Sequence, residues 1–161
     1  YMLKHLIDSG ATISTDLILG VISLKEMKAC IDSLDENVII ISITDPDIEN
    51  PLPDRPHMLK IQFWDVEDTI GKYEPLSLEQ GRILRNFVIR SFEEFDNPKF
   101  LVQCMAGQSR SAGVAKAIEC LWHFGFGQSA KYDYMTCFSS EIDAHMRYSP
   151  NLTVFDRIID D

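Results

Sequence analysis

The sequence lacks any apolar run long enough to cross a bilayer. Its longest, such as Val38-Ile39-Ile40-Ile41, end after a few residues, where a spanning helix needs about 20. Positive charge is also scarce: 15 Lys and Arg stand against 25 Asp and Glu, a formal net charge of −10, with a pI near 4.7. At long range such a balance repels nucleic acid and anionic membranes, so neither is expected as a partner, and an anion site has to be built locally from few groups. Only four cysteines occur, Cys30, Cys104, Cys120 and Cys137, at spacings that match no zinc pattern. The histidines, His5, His57, His123 and His145, show no ligand spacing either. No metal and no cofactor are therefore expected. The opening Tyr1-Met2-Leu3-Lys4-His5 has no apolar stretch ahead of a small-residue cleavage site, and Met2 reads as a natural start. The chain is thus expected to be cytoplasmic, with its thiols free in a reducing compartment. Cys30, Cys120 and Cys137 read as small buried hydrophobes. Internal repeats and low-complexity tracts are absent.

What is present suffices for one domain over residues 1–161, 45% of them hydrophobic, with a mean hydropathy of −0.07. Leu17 to Ile22 reads as a buried strand. Ser23 and Glu26 then form a capping box for a short helix over 24–34. Asn37–Thr44 and His57–Trp64 read as further strands, separated by a loop punctuated by Pro46, Pro51 and Pro53. A second capping box, Ser77 with Gln80, opens a helix to Phe95 whose inner stripe is Leu84, Phe87, Val88, Ser91 and Phe95. Arg82, Arg85 and Arg90 are expected on its water-facing side. Phe100–Cys104 is the fourth strand, and a helix lined by Val114, Ala117, Ile118 and Leu121 follows, closed by Gly125 and Gly127. A further helical segment begins near Ser129. Asn151 opens a last amphipathic helix carrying Leu152, Phe155, Ile158 and Ile159. Strands alternating with helices predict an α/β sandwich whose central, largely parallel sheet is flanked by helices.

The most informative stretch is Cys104-Met105-Ala106-Gly107-Gln108-Ser109-Arg110-Ser111. A strand, a tight loop and a helix aim successive backbone N–H groups inward at a helix N-terminus, which suits an anion the size of phosphate. The same field favours the thiolate of Cys104, and the Arg110 guanidinium offers a planar fork to two phosphate oxygens. Gly107 stands where the chain has to turn with positive φ. Ser111 follows the arginine and can hydrogen-bond the sulfur. A cysteine and an arginine six apart are a weak signal alone; this setting strengthens it. Thiolate attack on a phosphate monoester also needs an acid to protonate the leaving oxygen. Trp64-Asp65-Val66-Glu67-Asp68 supplies candidates at the end of the third strand, although at least two of these acids fit an ordinary solvated loop.

The loop resembles the signature of cysteine-dependent protein tyrosine and dual-specificity phosphatases, with the compact bacterial and phage-type group as the best match. Ile61-Gln62-Phe63-Trp64-Asp65 is similar to the strand and aspartate that carry that family's general acid. Tyr148-Ser149-Pro150-Asn151 is similar to its C-terminal Pro-Asn helix start, and Ile41-Ser42-Ile43-Thr44-Asp45 to its early core strand and turn. The resemblance implies Cys104 as nucleophile, Arg110 as phosphate clamp and Ser111 as an aid to breakdown of a phosphocysteine intermediate. It also implies that the amides of Met105, Ala106, Gly107, Gln108, Ser109 and Arg110 form the phosphate cradle. Asp65 fits the acid best because it directly follows the strand, and Asp68 is the fallback. The implied partner is a phosphorylated protein or peptide, with phosphotyrosine, and also phosphoserine or phosphothreonine, as substrate. Phosphoinositide-directed relatives typically carry basic residues within this loop, and positions 105–109 here have none.

One position departs from the pattern: the family usually has histidine before the cysteine, and this chain has Gln103. Glutamine carries no charge to favour a thiolate, but its amide can hold the loop. Reduced or pH-shifted activity, rather than none, is the expectation, because the loop dipoles and Arg110 remain. Two alternatives compete. A catalytically weak or inactive phosphate-recognition module would use the same loop without turnover. A rhodanese-like sulfurtransferase also uses a cysteine in an anion-binding loop, but needs no separate acid.

Overall fold

A computed structural model describes residues 12–13 and 17–160. Strands β1 (Thr12–Ile13), β2 (Ile18–Ser23), β3 (Ile39–Thr44), β4 (Met58–Gln62) and β5 (Lys99–Cys104) form one sheet in the order β1-β2-β5-β3-β4. The four strands β2, β5, β3 and β4 run parallel, and β1 pairs antiparallel with β2. Helices α1 (Leu24–Cys30), α2 (Leu78–Glu94), α3 (Arg110–His123), α4 (Gln128–Cys137), α5 (Glu141–Ala144) and α6 (Leu152–Ile159) complete the fold. The expected α/β sandwich is thus observed. Neither β1 nor α5 is legible in the sequence, and β4 is shorter than the expected strand over 57–64.

The side chains of the sheet alternate between two cores. Ile39, Ile41, Ile43, Phe100 and Val102 face a large core built with α2, α3, α4 and α6. Ile22, Ile40 and Leu101 point the other way, onto Leu24, Met27 and Cys30 of α1. Every residue of β3 is buried, as expected for a central parallel strand covered on both faces. Both predicted capping boxes form. Ser23 Oγ accepts from Glu26 N at 3.1 Å, and Ser77 Oγ accepts from Gln80 N at 3.1 Å.

Three expectations are corrected. Arg85 does not face water: it is 7% exposed, its Nη1 donates to the carbonyls of Ile158 at 3.2 Å and Asp160 at 2.8 Å, and its guanidinium lies over the Phe126 ring at 4.6 Å. The end of α6 leaves unbonded carbonyls there, and a guanidinium satisfies them while its stem packs on apolar surface. Leu152 is exposed, and Val154 takes the inward position with Phe155, Ile158 and Ile159. Cys137 is exposed at the last residue of α4, whereas Cys30 and Cys120 are buried as expected.

Burial pushes the Cys120 thiol up to about 12, helped by the charge of Glu119, and it raises Cys30, helped by Glu26. A raised thiol keeps its proton, so little Cys120 is thiolate at pH 8. Iodoacetamide at pH 8 is therefore expected to label Cys137 while sparing Cys30 and Cys120 until the protein unfolds. Peptide mass analysis reads the outcome. Labelling of Cys120 in the folded protein would contradict its burial.

Candidate active site

β5 delivers Cys104 to the carboxyl end of the sheet, between β2 and β3. Cys104 is in register with Ser23, and Gln103 with Ser42. The sulfur is buried and lies 3.0 Å from Ser111 Oγ, so the expected serine contact is present. Residues 105–109 form the loop, and α3 starts at Arg110. Gly107 adopts φ +67. A Cβ there would lie 2.5 Å from both Ile22 C and Ser23 N, so the loop rests on the backbone at the junction of β2 and α1. Leu24 N donates to Met105 O at 3.2 Å at the same junction.

The other side of the loop is held by the segment before α6. Ser149 N donates to Gln108 O at 2.8 Å, and Asn151 N to Ser109 O at 3.1 Å. Gly113 permits this approach, because a Cβ there would lie 2.6 Å from Asn151 O. The predicted Pro-Asn helix start thus packs directly against the signature loop.

Arg110 is 4% exposed. Its Nη1 donates to Asp45 Oδ1 at 2.7 Å and to Phe63 O at 2.8 Å. Its Nε is buried with no partner among the described residues. The sequence shows Asp45 only as part of a turn. An acid directly after a buried strand beside the loop strand is the available signal, but which cation it meets depends on strand order.

Of the acids after β4, the structure brings only Asp65 to the loop. Its Oδ1 accepts from Ser109 Oγ at 2.8 Å and from Asn151 Nδ2 at 3.1 Å. Asn151 Nδ2 also reaches Val66 O at 3.1 Å, and Thr153 Oγ1 donates to Glu67 O at 2.7 Å. Asn151 therefore caps α6 with its Oδ1, through Thr153 N and Val154 N, while its amide nitrogen ties down the acidic segment. No signal in the sequence marks this second task. Trp64 packs edge-on against Tyr73 with ring centroids 4.8 Å apart, which anchors the segment from its other end. Asp68 is exposed and makes no bond to the loop among the described residues.

No family profile and no curated protein matches this sequence. Solved structures do match. OH1 from the Orf virus, a tyrosine phosphatase, is 16% identical with a TM-score of 0.54, over 92% of this chain and 83% of that one. PTP-2 phosphatase from Cydia pomonella is 19% identical with a TM-score of 0.57, over 92% and 87% of the two chains. The human tyrosine phosphatase-like serine/threonine/tyrosine-interacting protein is 16% identical with a TM-score of 0.54, over 92% and 91%. The fold is that of the tyrosine and dual-specificity phosphatases.

Within this phosphatase fold, Gln103 is fully buried on the sheet face that Leu101 shares with α1. The apolar cover of α1 ends there, and polar groups take over. Ser42 Oγ donates to Gln103 Oε1, Asn50 Nδ2 donates to Ser42 Oγ at 2.8 Å, and Gln103 Nε2 donates to Ile43 O at 3.3 Å. Gln103 thus pins β5 to β3 immediately before the cysteine. Gln103→His is expected to speed alkylation of Cys104 by iodoacetate at pH 6, since an imidazolium favours a neighbouring thiolate. Loss of the bonds to Ser42 and Ile43 is expected to cost roughly 1–3 kcal/mol of stability. An unchanged alkylation rate would remove position 103 from any account of thiol reactivity.

Among the described residues no cluster of His, Cys, Asp or Glu could hold a metal ion, and no helix is long and apolar enough to cross a membrane. His123, the last residue of α3, packs against Phe138 with ring centroids 4.7 Å apart, and partial burial lowers its pKa.

Proposed function

We propose that the protein is a cysteine-dependent phosphatase that hydrolyses phosphotyrosine, and also phosphoserine or phosphothreonine, in proteins. The observation that carries this reading is the state of Arg110. Its Nη1 is committed to Asp45 and Phe63, while the buried Nε has no partner among the described residues. A guanidinium fixed at one nitrogen and unsatisfied along the opposite edge suits bidentate capture of phosphate through Nε and Nη2.

In the first step Cys104 Sγ attacks phosphorus, the bond to the ester oxygen breaks, and Asp65 gives that oxygen its proton. Arg110 and the amides of residues 105–110 hold the three equatorial oxygens as charge redistributes. In the second step Asp65 takes a proton from water, which attacks the phosphocysteine. The Cys104 thiolate leaves, aided by the Ser111 hydroxyl. Asp65 is preferred over Asp68 because it alone of the two bonds to the loop, through Ser109. Its Oδ2 has no partner among the described residues, which leaves an oxygen for the proton transfer. No step calls for a metal or cofactor.

The test is turnover of p-nitrophenyl phosphate and a phosphotyrosine peptide by the wild type, Arg110→Ala, Asp65→Asn and Asp68→Asn, with vanadate as inhibitor. Asp65→Asn is expected to lower kcat on the peptide by about 10²–10³. On p-nitrophenyl phosphate the loss is smaller, because nitrophenolate departs without a proton. Asp68→Asn is expected to stay within about twofold of wild type, as for a surface acid outside the machinery. A larger loss with Asp68→Asn reassigns the acid.

A second reading, a phosphate-recognition module without turnover, is favoured by Gln103, whose amide is engaged with β3 and carries no charge. Phosphopeptide binding by a wild type that fails to hydrolyse either substrate would establish it.

A further inference from the structure

A shallow groove of about 530 Å³ opens beside the signature loop, lined by Leu24, Lys25, Lys28, Ala29 and Met105. Its floor is apolar. Leu24 is buried beneath it, and Met105, the residue after Cys104, contributes a side chain that is 44% exposed. Lys25 and Lys28 are exposed and three residues apart, so both stand on the same side of α1.

Two features make this pair of charges available to a ligand. Neither lysine has an ion pair among the described residues. The one acid between them, Glu26, is already occupied: it completes the capping box with Ser23 and pairs with Arg147 Nη2 at 2.6 Å. Such positive charge is scarce in a chain of net charge −10. The groove is also fixed relative to the phosphate site. Leu24 N bonds to Met105 O, and Gly107 rests on the backbone of Ile22 and Ser23, so α1 and the loop form one rigid unit.

We propose that this groove receives an acidic side chain of the substrate, Asp or Glu, one or two residues from the phosphorylated residue. The proposal rests on the phosphatase reading and adds a sequence preference to it. Met105 directly follows Cys104, and an extended peptide advances about 3.3–3.6 Å per residue, so a side chain one or two residues from the phosphorylated one is within reach of the groove. The carboxylate meets Lys25 and Lys28, and its methylene stem lies on Leu24 and Met105. This charge complementarity selects acidic phosphopeptides over neutral or basic ones.

The experiment measures binding of a phosphotyrosine peptide panel to the Cys104→Ser protein by fluorescence polarisation. Asp, Ser or Lys is placed at each of the two positions on either side of the phosphotyrosine. The measurement is repeated in Lys25→Glu/Lys28→Glu on the same background. At one position or more, Asp is expected to bind about threefold to tenfold tighter than Ser, the range for two exposed ion pairs. The double charge reversal removes that preference. With Cys104 intact, it leaves p-nitrophenyl phosphate turnover within about twofold of wild type, and it leaves the melting temperature unchanged. An acidic preference that survives the double reversal overturns the proposal, as does its absence at all four positions or a failure to bind any phosphopeptide. Lysine-dependent binding to vesicles containing phosphatidylinositol phosphate, without a peptide preference, overturns it in favour of a lipid surface. Turnover without the preference sinks the groove alone, and the preference without turnover sinks the hydrolase reading alone.

Discussion

Cys104→Ser is expected to lower kcat on p-nitrophenyl phosphate and on a phosphotyrosine peptide by about 10⁴ or more. A serine hydroxyl keeps its proton at neutral pH, and the side-chain partner of the sulfur among the described residues is Ser111 Oγ at 3.0 Å, a hydroxyl and not a base. Fold and anion binding are expected to survive. Serine is nearly isosteric, and the proposed cradle of backbone amides and Arg110 is not touched by the change. Vanadate or inorganic phosphate should therefore still raise the melting temperature of the variant, in proportion to occupancy. Steady-state kinetics with a melting curve, each with and without phosphate, reads both halves. Turnover within tenfold of wild type would remove Cys104 as nucleophile and with it the phosphocysteine route.

Gly107→Ala is expected to be nearly as damaging without touching any reacting group. The backbone there has φ +67, a region that costs an L-residue about 1–2 kcal/mol. The steric cost is greater still. The added methyl would sit 2.5 Å from Ile22 C and Ser23 N and 2.8 Å from Ile22 O. These are backbone atoms at the end of a paired strand, so they cannot swing aside as a flexible side chain would. The loop has to lift, which turns its amides away from a common centre. A fall in kcat/KM of about 10²–10³ is expected, the size of losing one or two preorganised donors, together with a lower melting temperature. Gly71→Ala is the control. Its φ is +59, but a Cβ there meets nothing within 4 Å, so it carries the strain without the clash and should leave turnover unchanged. If Gly107→Ala behaves like Gly71→Ala, contact with the junction of β2 and α1 does not shape the loop.

Much of the architecture is legible because it is written in local chemistry. Ser23 with Glu26 and Ser77 with Gln80 fix two helix starts through bonds between residues three apart. Isoleucine runs such as 39–41 suit only a strand buried on both faces. The loop from Cys104 to Ser111 carries its own turn at Gly107 and its own serine beside the sulfur. The departures share a cause as well. Charge alone assigns Arg85 to water, and the carbonyls that bury it come from residues 158 and 160. Hydrophobicity alone assigns Leu152 inward, yet the capped first turn of α6 points it outward. Cys137 shares its residue type with buried Cys30 and Cys120 but sits at the exposed end of a helix.

The sequence by itself determined the loop, its strand-to-helix setting, the sandwich and the two aspartates from which an acid would be chosen. Each depends on residues within one turn or one strand of each other, where spacing translates directly into geometry. The tertiary structure decided which aspartate meets the loop, and that Asp45 and Phe63 hold Arg110 at one nitrogen while its Nε has no partner among the described residues. It also decided that Asn151 joins the acidic segment to the loop, that Gln103 serves the register of β5 with β3, and that two lysines of α1 stand beside Met105. Those pairings bring together residues far apart in the chain, 44 positions for Ser109 with Asp65 and 86 for Asn151 with Asp65. Strand order and helix packing set such distances, and no local periodicity records them.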